Sequence, residues 1–187
     1  MDDSELIEHT VASEPVFDGK LLHVRRDTVR LPNGHEAVRE WITHPGAVVV
    51  IAALENGKLL LERQFRYPLR RIFLELPAGK IDPDEHPLDT AKRELREETG
   101  HQARVWRHLA TMHPCVGYAD ERIEIFWAQG LMYVGHQRDH GEFLEVIEMS
   151  VAEAILAVRD GEITDGKSIA ALMWADKIDS GTWPLPE

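Results

Sequence analysis

Residues 46–54 read Gly-Ala-Val-Val-Val-Ile-Ala-Ala-Leu, a run with no polar side chain and four consecutive β-branched residues. Period-two alternation is absent, so the run reads as a strand buried on both faces. It is far shorter than the roughly 20 residues that span a bilayer. Glu55-Asn56-Gly57 then turns the chain into a partner strand, Lys58 to Phe65. Ahead of the run, Leu21–Leu31 and Ala37–Thr43 read as strands joined by the turn Pro32-Asn33-Gly34. Beyond it, Pro87 to Glu98 is a helix with Gly100 at the cap position. Val105–Met112 and Ile123–Ala128 read as strands, and Val151–Arg159 and Ser168–Ser180 as helices. These elements predict an α/β chain with a mixed sheet. His44-Pro45 marks a boundary between a small antiparallel appendage (1–45) and a main domain (46–187).

The 187 residues carry 21 basic and 33 acidic side chains, a net charge of −12. That balance argues against nucleic acid as a partner. An anionic substrate would need a cation or a local arginine cluster to invert the field. A single cysteine, Cys115, excludes an internal disulfide and all-cysteine zinc sites; it reads as a small buried residue. The acidic start, MDDSELIEHT, lacks the basic region of a secretory signal. A cytoplasmic protein without membrane association is the expectation.

The helix carries the chemistry. At about 100° per residue, Glu94, Glu97 and Glu98 crowd one face within a turn, a quarter-turn from the apolar stripe Leu88, Ala91 and Leu95. Like charges at these spacings repel, and acids in a last turn oppose the macrodipole. A hard divalent cation relieves both penalties, since carboxylate oxygens suit Mg²⁺ and Mn²⁺. A solvated face compensated by Lys92, Arg93 and Arg96 is the alternative, with Arg93 and Glu97 forming an i, i+4 pair.

Gly79, five residues, Glu85, seven residues, and then Arg93-Glu94-Leu95-Arg96-Glu97-Glu98-Thr99-Gly100 resemble the Nudix box, G-x5-E-x7-R-E-U-x-E-E-x-G-U, with U aliphatic. The last position departs, with His101 in place of an aliphatic residue. The resemblance implies an α/β/α sandwich with a mixed sheet, and hydrolysis of a nucleoside diphosphate linked to another moiety. It assigns metal ligation to Glu94, Glu97, Glu98 and the carbonyl of Ala78, with Glu97 and Glu98 catalytic. Gly79, Glu85, Arg93 and Gly100 become structural members of the box, Arg93 and Glu85 by ion pairing. Mg²⁺ is the implied cofactor, with Mn²⁺ as a substitute.

Further segments resemble the ADP-ribose pyrophosphatase branch of that family. They are Glu62 to Pro68, Phe73 to Asp82, His44 to Val48, and Gly161-Glu162-Ile163. Arg63, Arg66, Arg70 and Arg71 place four guanidinium groups beside the acidic helix, where an anion could be held bidentately. Arg66 is the expected phosphate or ribose contact, with Glu75 also at the substrate. Members of this branch are homodimers whose N-terminal strands exchange, which makes Phe17, Arg39 and Trp41 candidates for holding adenine; a core or interface role is the alternative for Phe17 and Trp41. The loop 135–145 resembles one bearing a water-activating Glu, here Glu142, with Glu145 behind it. Glu121 is a candidate for substrate or a further metal. His136 and His140 lie in a glycine-flanked loop and do not read as a zinc pair. The resulting expectation is Mg²⁺-dependent hydrolysis of ADP-ribose to AMP and ribose 5-phosphate by a homodimer. The alternatives are another nucleoside diphosphate sugar, such as GDP-mannose, and a sensor that binds without cleaving.

Overall fold

The apolar run forms strand β4 (Ala47–Ala53), in which Val48 to Ala52 are wholly buried. Its alternate side chains feed two separate cores. Val48, Val50 and Ala52 pack with Ala91 and Leu95 of helix α1 (Pro87–Thr99). Val49 and Ile51 pack with Ala154 and Ala157 of α2 (Val151–Arg159) and with Ala171, Leu172 and Ala175 of α3 (Gly166–Asp179). One strand with period-two side chains thus forces a helix layer on each side, and the domain is an α/β/α sandwich.

The structure, a computed structural model, describes residues 3–136 and 143–186. These divide into two compact units, one of residues 1–45 with 115–121 and one of residues 46–114 with 122–187. The first unit holds a three-stranded antiparallel sheet in the order β1 (His9–Asp18), β2 (His23–Arg30), β3 (Glu36–Thr43). Residues 115–121 join it through the Ile42 N–H, which donates to the Tyr118 carbonyl at 2.8 Å. Cys115 is half-buried there, its thiol 3.1 Å from the Tyr118 hydroxyl, rather than sealed in a core.

The second unit holds the mixed sheet. β5 (Lys58–Arg66) runs antiparallel to β4, and β9 (Ile123–Tyr133) runs parallel to it. β10 (Leu144–Ser150) flanks β5, and β8 (His101–Met112) flanks β9. Two short strands complete the sheet: β6 (Arg71–Glu75) pairs with β5, and β7 (Ala78–Lys80) pairs with β4. Strands β1, β6, β7 and β10 lie outside the sequence expectation, and β8 and β9 run longer than expected. No helix among the described residues is long and apolar enough to cross a membrane.

Helix α1 is framed as its sequence dictates. Pro87 opens it, and the His86 ring nitrogen accepts from the Leu88 N–H at 3.3 Å. Gly100 ends it at φ 74°, a conformation that glycine adopts without strain. His101, where an aliphatic residue was expected, holds the Thr99 carbonyl at 2.9 Å and packs edge-on to Tyr133.

Candidate active site

The acidic face of α1 turns toward β7. Glu98 is buried and accepts from the Ala78 N–H at 3.0 Å. Glu94 and Glu97 are partly exposed, and one atom, Arg93 Nη1, donates to both, at 2.8 and 3.1 Å. The repulsion expected from the sequence is therefore relieved by a guanidinium and a backbone N–H. Among the described residues no three acidic, histidine or cysteine side chains form a closed metal cage.

Arg93 is held from its other side by Glu85. Its Nε and Nη2 reach the Glu85 carboxylate at 3.0 and 2.9 Å, and Nη2 also donates to the Lys80 carbonyl at 3.2 Å. The Thr90 hydroxyl adds a bond to Glu85 at 2.8 Å. With the Arg93 guanidinium as the main cause, and against some desolvation, the Glu85 carboxyl falls to about 2. One arginine thus bridges Glu85 at the start of the helix to two acids in its later turns.

Gly79 explains how β7 and α1 approach. A Cβ there would lie 1.8 Å from Glu94 Oε1. No other residue leaves room for that carboxylate. The site accordingly offers carboxylate oxygens gathered against the strand whose Ala78 N–H holds Glu98. This all-oxygen donor set fits a hard divalent cation rather than a soft one.

Arg66 ends β5. Period-two alternation puts Glu62, Gln64 and Arg66 on the same face as Leu60, which packs in the α1 core. Its Nε and Nη2 grip Glu75 Oε1 and Oε2, each at 2.8 Å, a bidentate pair. Glu75 is buried. Burial pushes its carboxyl up, but Arg66 and Lys167 outweigh that and hold it below the usual carboxylate range. Arg66 is raised in turn, chiefly by Glu75, and the charges of Glu62 and Glu98 contribute. Arg66 and the buried acid of α1 therefore share one electrostatic neighbourhood.

The other three arginines of the expected cluster are dispersed. Arg63 points from the opposite side of β5 to Glu145, at 2.7 Å. Arg70 adopts φ 54° and stacks over Tyr67 at 3.6 Å. Arg71 lies over Phe73 and donates to Thr164 at 2.8 Å. The strand period and the 3₁₀ turn Tyr67–Leu69 send neighbouring guanidiniums in different directions.

The remaining candidates fall elsewhere. Phe17 lies exposed on β1. Arg39 is gripped by Glu8, at 2.9 and 2.5 Å, and Trp41 Nε1 donates to Asp27 at 2.9 Å. Glu121 lies 3.8 Å from His44 Nδ1. All four belong to the first unit, whereas Arg66, Glu75 and the box belong to the second. Glu142 lies outside the described residues. Sequence reasoning missed Lys167, which lies one residue ahead of the helix expected from Ser168 and falls in the first turn of α3.

Comparison with known proteins agrees with this geometry. The Nudix domain matches residues 42–172, and the nucleoside diphosphate sugar hydrolase N-terminal domain matches residues 8–42. The chain belongs to the Nudix family. It is 39% identical over 171 residues to the ADP-ribose pyrophosphatase of Bacillus subtilis (strain 168), covering 90% of this chain and 92% of that one. It is 37% identical over 175 residues to the ADP-ribose pyrophosphatase of Mycobacterium tuberculosis (strain ATCC 25618 / H37Rv), covering 92% and 84%. Among solved structures, an ADP compounds hydrolase superposes with a TM-score of 0.84 at 24% identity, covering 94% of this chain and 95% of that one, a likeness of fold.

Proposed function

We propose that this chain hydrolyses the diphosphate bridge of ADP-ribose, giving AMP and ribose 5-phosphate, with Mg²⁺ as cofactor and Mn²⁺ as a substitute. The observation that carries the reading is the bidentate Arg66–Glu75 pair within the electrostatic reach of Glu98. It puts a guanidinium with one edge left for an anion near an all-oxygen acid cluster in a chain of net charge −12. Glu94, Glu97, Glu98 and the Ala78 carbonyl would hold the cation. A bound divalent cation would neutralise phosphate charge and lower the pKa of an attacking water.

The chain's own groups do the rest. Arg66 binds the diphosphate through the guanidinium edge that Glu75 leaves open. Arg93, anchored by Glu85, holds Glu94 and Glu97 together through one nitrogen. Glu98 is fixed by the Ala78 N–H, so its carboxylate loses little freedom on engaging a ligand. Glu142 remains our choice for orienting water, with Glu145, which pairs with Arg63, as the alternative. Phe17, Arg39, Trp41 and Glu121 are proposed contacts for the nucleoside and ribose ends.

We also propose a cytoplasmic homodimer. Strand β1 is exposed along its whole length, with Val11, Val16 and Phe17 each about half exposed. A ten-residue edge strand, paired with β2 on one side and carrying exposed apolar side chains, invites a second chain. Mass measurement in solution tests this, and a monomer at micromolar concentration removes it. A free thiol and a nucleotide substrate fit a reducing compartment.

The deciding experiment for the activity is a panel of nucleoside diphosphate derivatives with Mg²⁺, products separated by chromatography. ADP-ribose is expected to give AMP and ribose 5-phosphate at the highest kcat/KM. A tenfold preference for GDP-mannose or another sugar nucleotide replaces the substrate. Binding without product in every case turns the reading into a sensor.

A further inference from the structure

Residues 164–168, Thr-Asp-Gly-Lys-Ser, belong to no part of the box, yet they meet the strand that leads into it at three points. The Leu76 N–H donates to Ser168 Oγ at 2.8 Å, with both residues buried. Arg71 Nη2 donates to Thr164 Oγ1 at 2.8 Å. Lys167 Nζ donates to Glu75 Oε2 and, at 2.9 Å, to Asp165 Oδ2. The Lys167 side chain is only 15% exposed, so its charge serves these partners rather than solvent. Glu75, 2% exposed, therefore receives two cations, from strand β5 and from helix α3.

Charge decides what this arrangement can do. Arg66 with Glu75 alone is a neutral pair, and a guanidinium neutralised by its own carboxylate attracts an anion weakly. Lys167 draws on the same carboxylate, so Glu75 neutralises Arg66 less completely. Asp165, 2.9 Å from Lys167 Nζ, brings the four groups to formal neutrality, and its Oδ2 also caps α3. It accepts from the Ser168 N–H at 3.0 Å and from Ser168 Oγ at 2.7 Å, where the helix dipole favours negative charge. Nε and Nη2 of Arg66 are committed to Glu75, so Nη1 is the edge left for a ligand.

We propose that Lys167 is a positioning residue for diphosphate binding. Acting through Glu75, it fixes the Arg66 guanidinium and takes up part of the Glu75 charge that would otherwise oppose an anion there. The Ser168–Leu76 bond keeps the base of α3 in register with the strand end, so the lysine is delivered to Glu75 rather than to water. This rests on the reading of Arg66 as the diphosphate contact.

The test is a double-mutant cycle on the full chain with Mg²⁺ and the preferred nucleoside diphosphate sugar from the substrate panel. The variants are Lys167→Met, Arg66→Ala and both together, with Lys167→Arg as the charge-preserving control. Lys167→Met is expected to raise KM about tenfold with kcat changed less than about threefold, and Lys167→Arg to recover most of that loss. In the Arg66→Ala background, Lys167→Met is expected to change KM less than about twofold, because its effect passes through the arginine. Full multiplication of the two effects, or no recovery by Lys167→Arg, overturns the proposal. An unchanged KM in Arg66→Ala alone instead overturns the diphosphate reading of Arg66. Thermal melting accompanies each variant, and Lys167→Gln replaces Lys167→Met in the cycle if the latter does not fold.

Discussion

The two faces of the central sheet are built on different terms. The face under α2 and α3 is closed by aliphatic and small side chains, Val49, Ile51, Leu59, Leu61, Ala171 and Leu172 among them, all at most 1% exposed. The face under α1 begins the same way, with Val48, Val50, Leu60 and Leu95. Toward the end of β5 it changes character. Glu62 and Glu98 are buried there, and Arg66 follows on the same face. Burying carboxylates costs free energy unless charges and donors meet them, and here Arg66 and the Ala78 N–H do so. A fold that needed only stability could have continued the aliphatic pattern across both faces. The polar half of one face is the part to which we assign the chemistry.

The sharpest way to break this comparison is to remove one charge from the polar half while keeping its shape. Glu98→Gln retains an oxygen that can accept from the Ala78 N–H and loses the negative charge. Turnover is expected to fall by about three orders of magnitude. Circular dichroism and melting temperature should stay close to wild type. Steady-state kinetics with product analysis decide it, and activity within tenfold of wild type would remove α1 as the metal-binding element.

The opposite face should respond in the opposite currency. Leu172→Ala empties part of a fully buried aliphatic core and is expected to cost about 2–5 kcal/mol of stability. At a temperature where the variant is folded, kcat should stay within about twofold, since Leu172 belongs to the core on the face opposite α1. Urea denaturation read beside kinetics checks both. Equal damage to turnover and stability would mean that the two faces are not separable.

How far the sequence foretold this division varies element by element. β4 and α1 were legible because their signals are local. An uninterrupted apolar run has one home, and Pro87, the acid spacing and Gly100 frame one helix. β1 gave no signal, because every residue in it is exposed and no alternation marks a buried face. β6 was hidden by the buried Glu75, whose charge breaks the strand pattern for a reason visible only in three dimensions. The four arginines were legible as composition and not as geometry. Side-chain direction depends on strand parity and on the left-handed Arg70, which no spacing rule supplies. Lys167 was illegible for a different reason: its partner Glu75 lies 92 positions away. Contacts of that kind are set by the packing of α3 on the sheet.

A smaller perturbation sharpens the boundary between strand and helix at the site. In Gly79→Ala the new methyl group would occupy the place of the Glu94 carboxylate. Glu94 must swing aside, since pairing with β4 fixes the strand. A loss of about 100-fold in kcat/KM is expected with a melting temperature lowered by only a few degrees. Glu94→Gln in the Gly79→Ala background should then add little, because the carboxylate is already displaced. Independent, multiplying losses would show that Gly79 serves the backbone rather than Glu94.

The smallest effect is expected at Glu85, and its pH dependence identifies its cause. Its carboxyl ionises at about 2 in the folded chain against an ordinary value of 4.5, mainly because of Arg93. A depressed carboxyl stabilises the folded state above its unfolded value, and the contribution disappears as pH falls toward the folded one. Glu85→Gln should therefore lower the urea midpoint at pH 6, and the gap to wild type should narrow between pH 4.5 and about 2. Because the pair is partly solvated, added salt should shrink the gap at pH 6 as well. The same variant loosens Arg93 from the start of α1 while leaving its bonds to Glu94 and Glu97, so kcat should fall by less than in Gly79→Ala. A gap independent of pH would assign Glu85 to packing, and would leave Arg93 anchored by the acids of the helix alone.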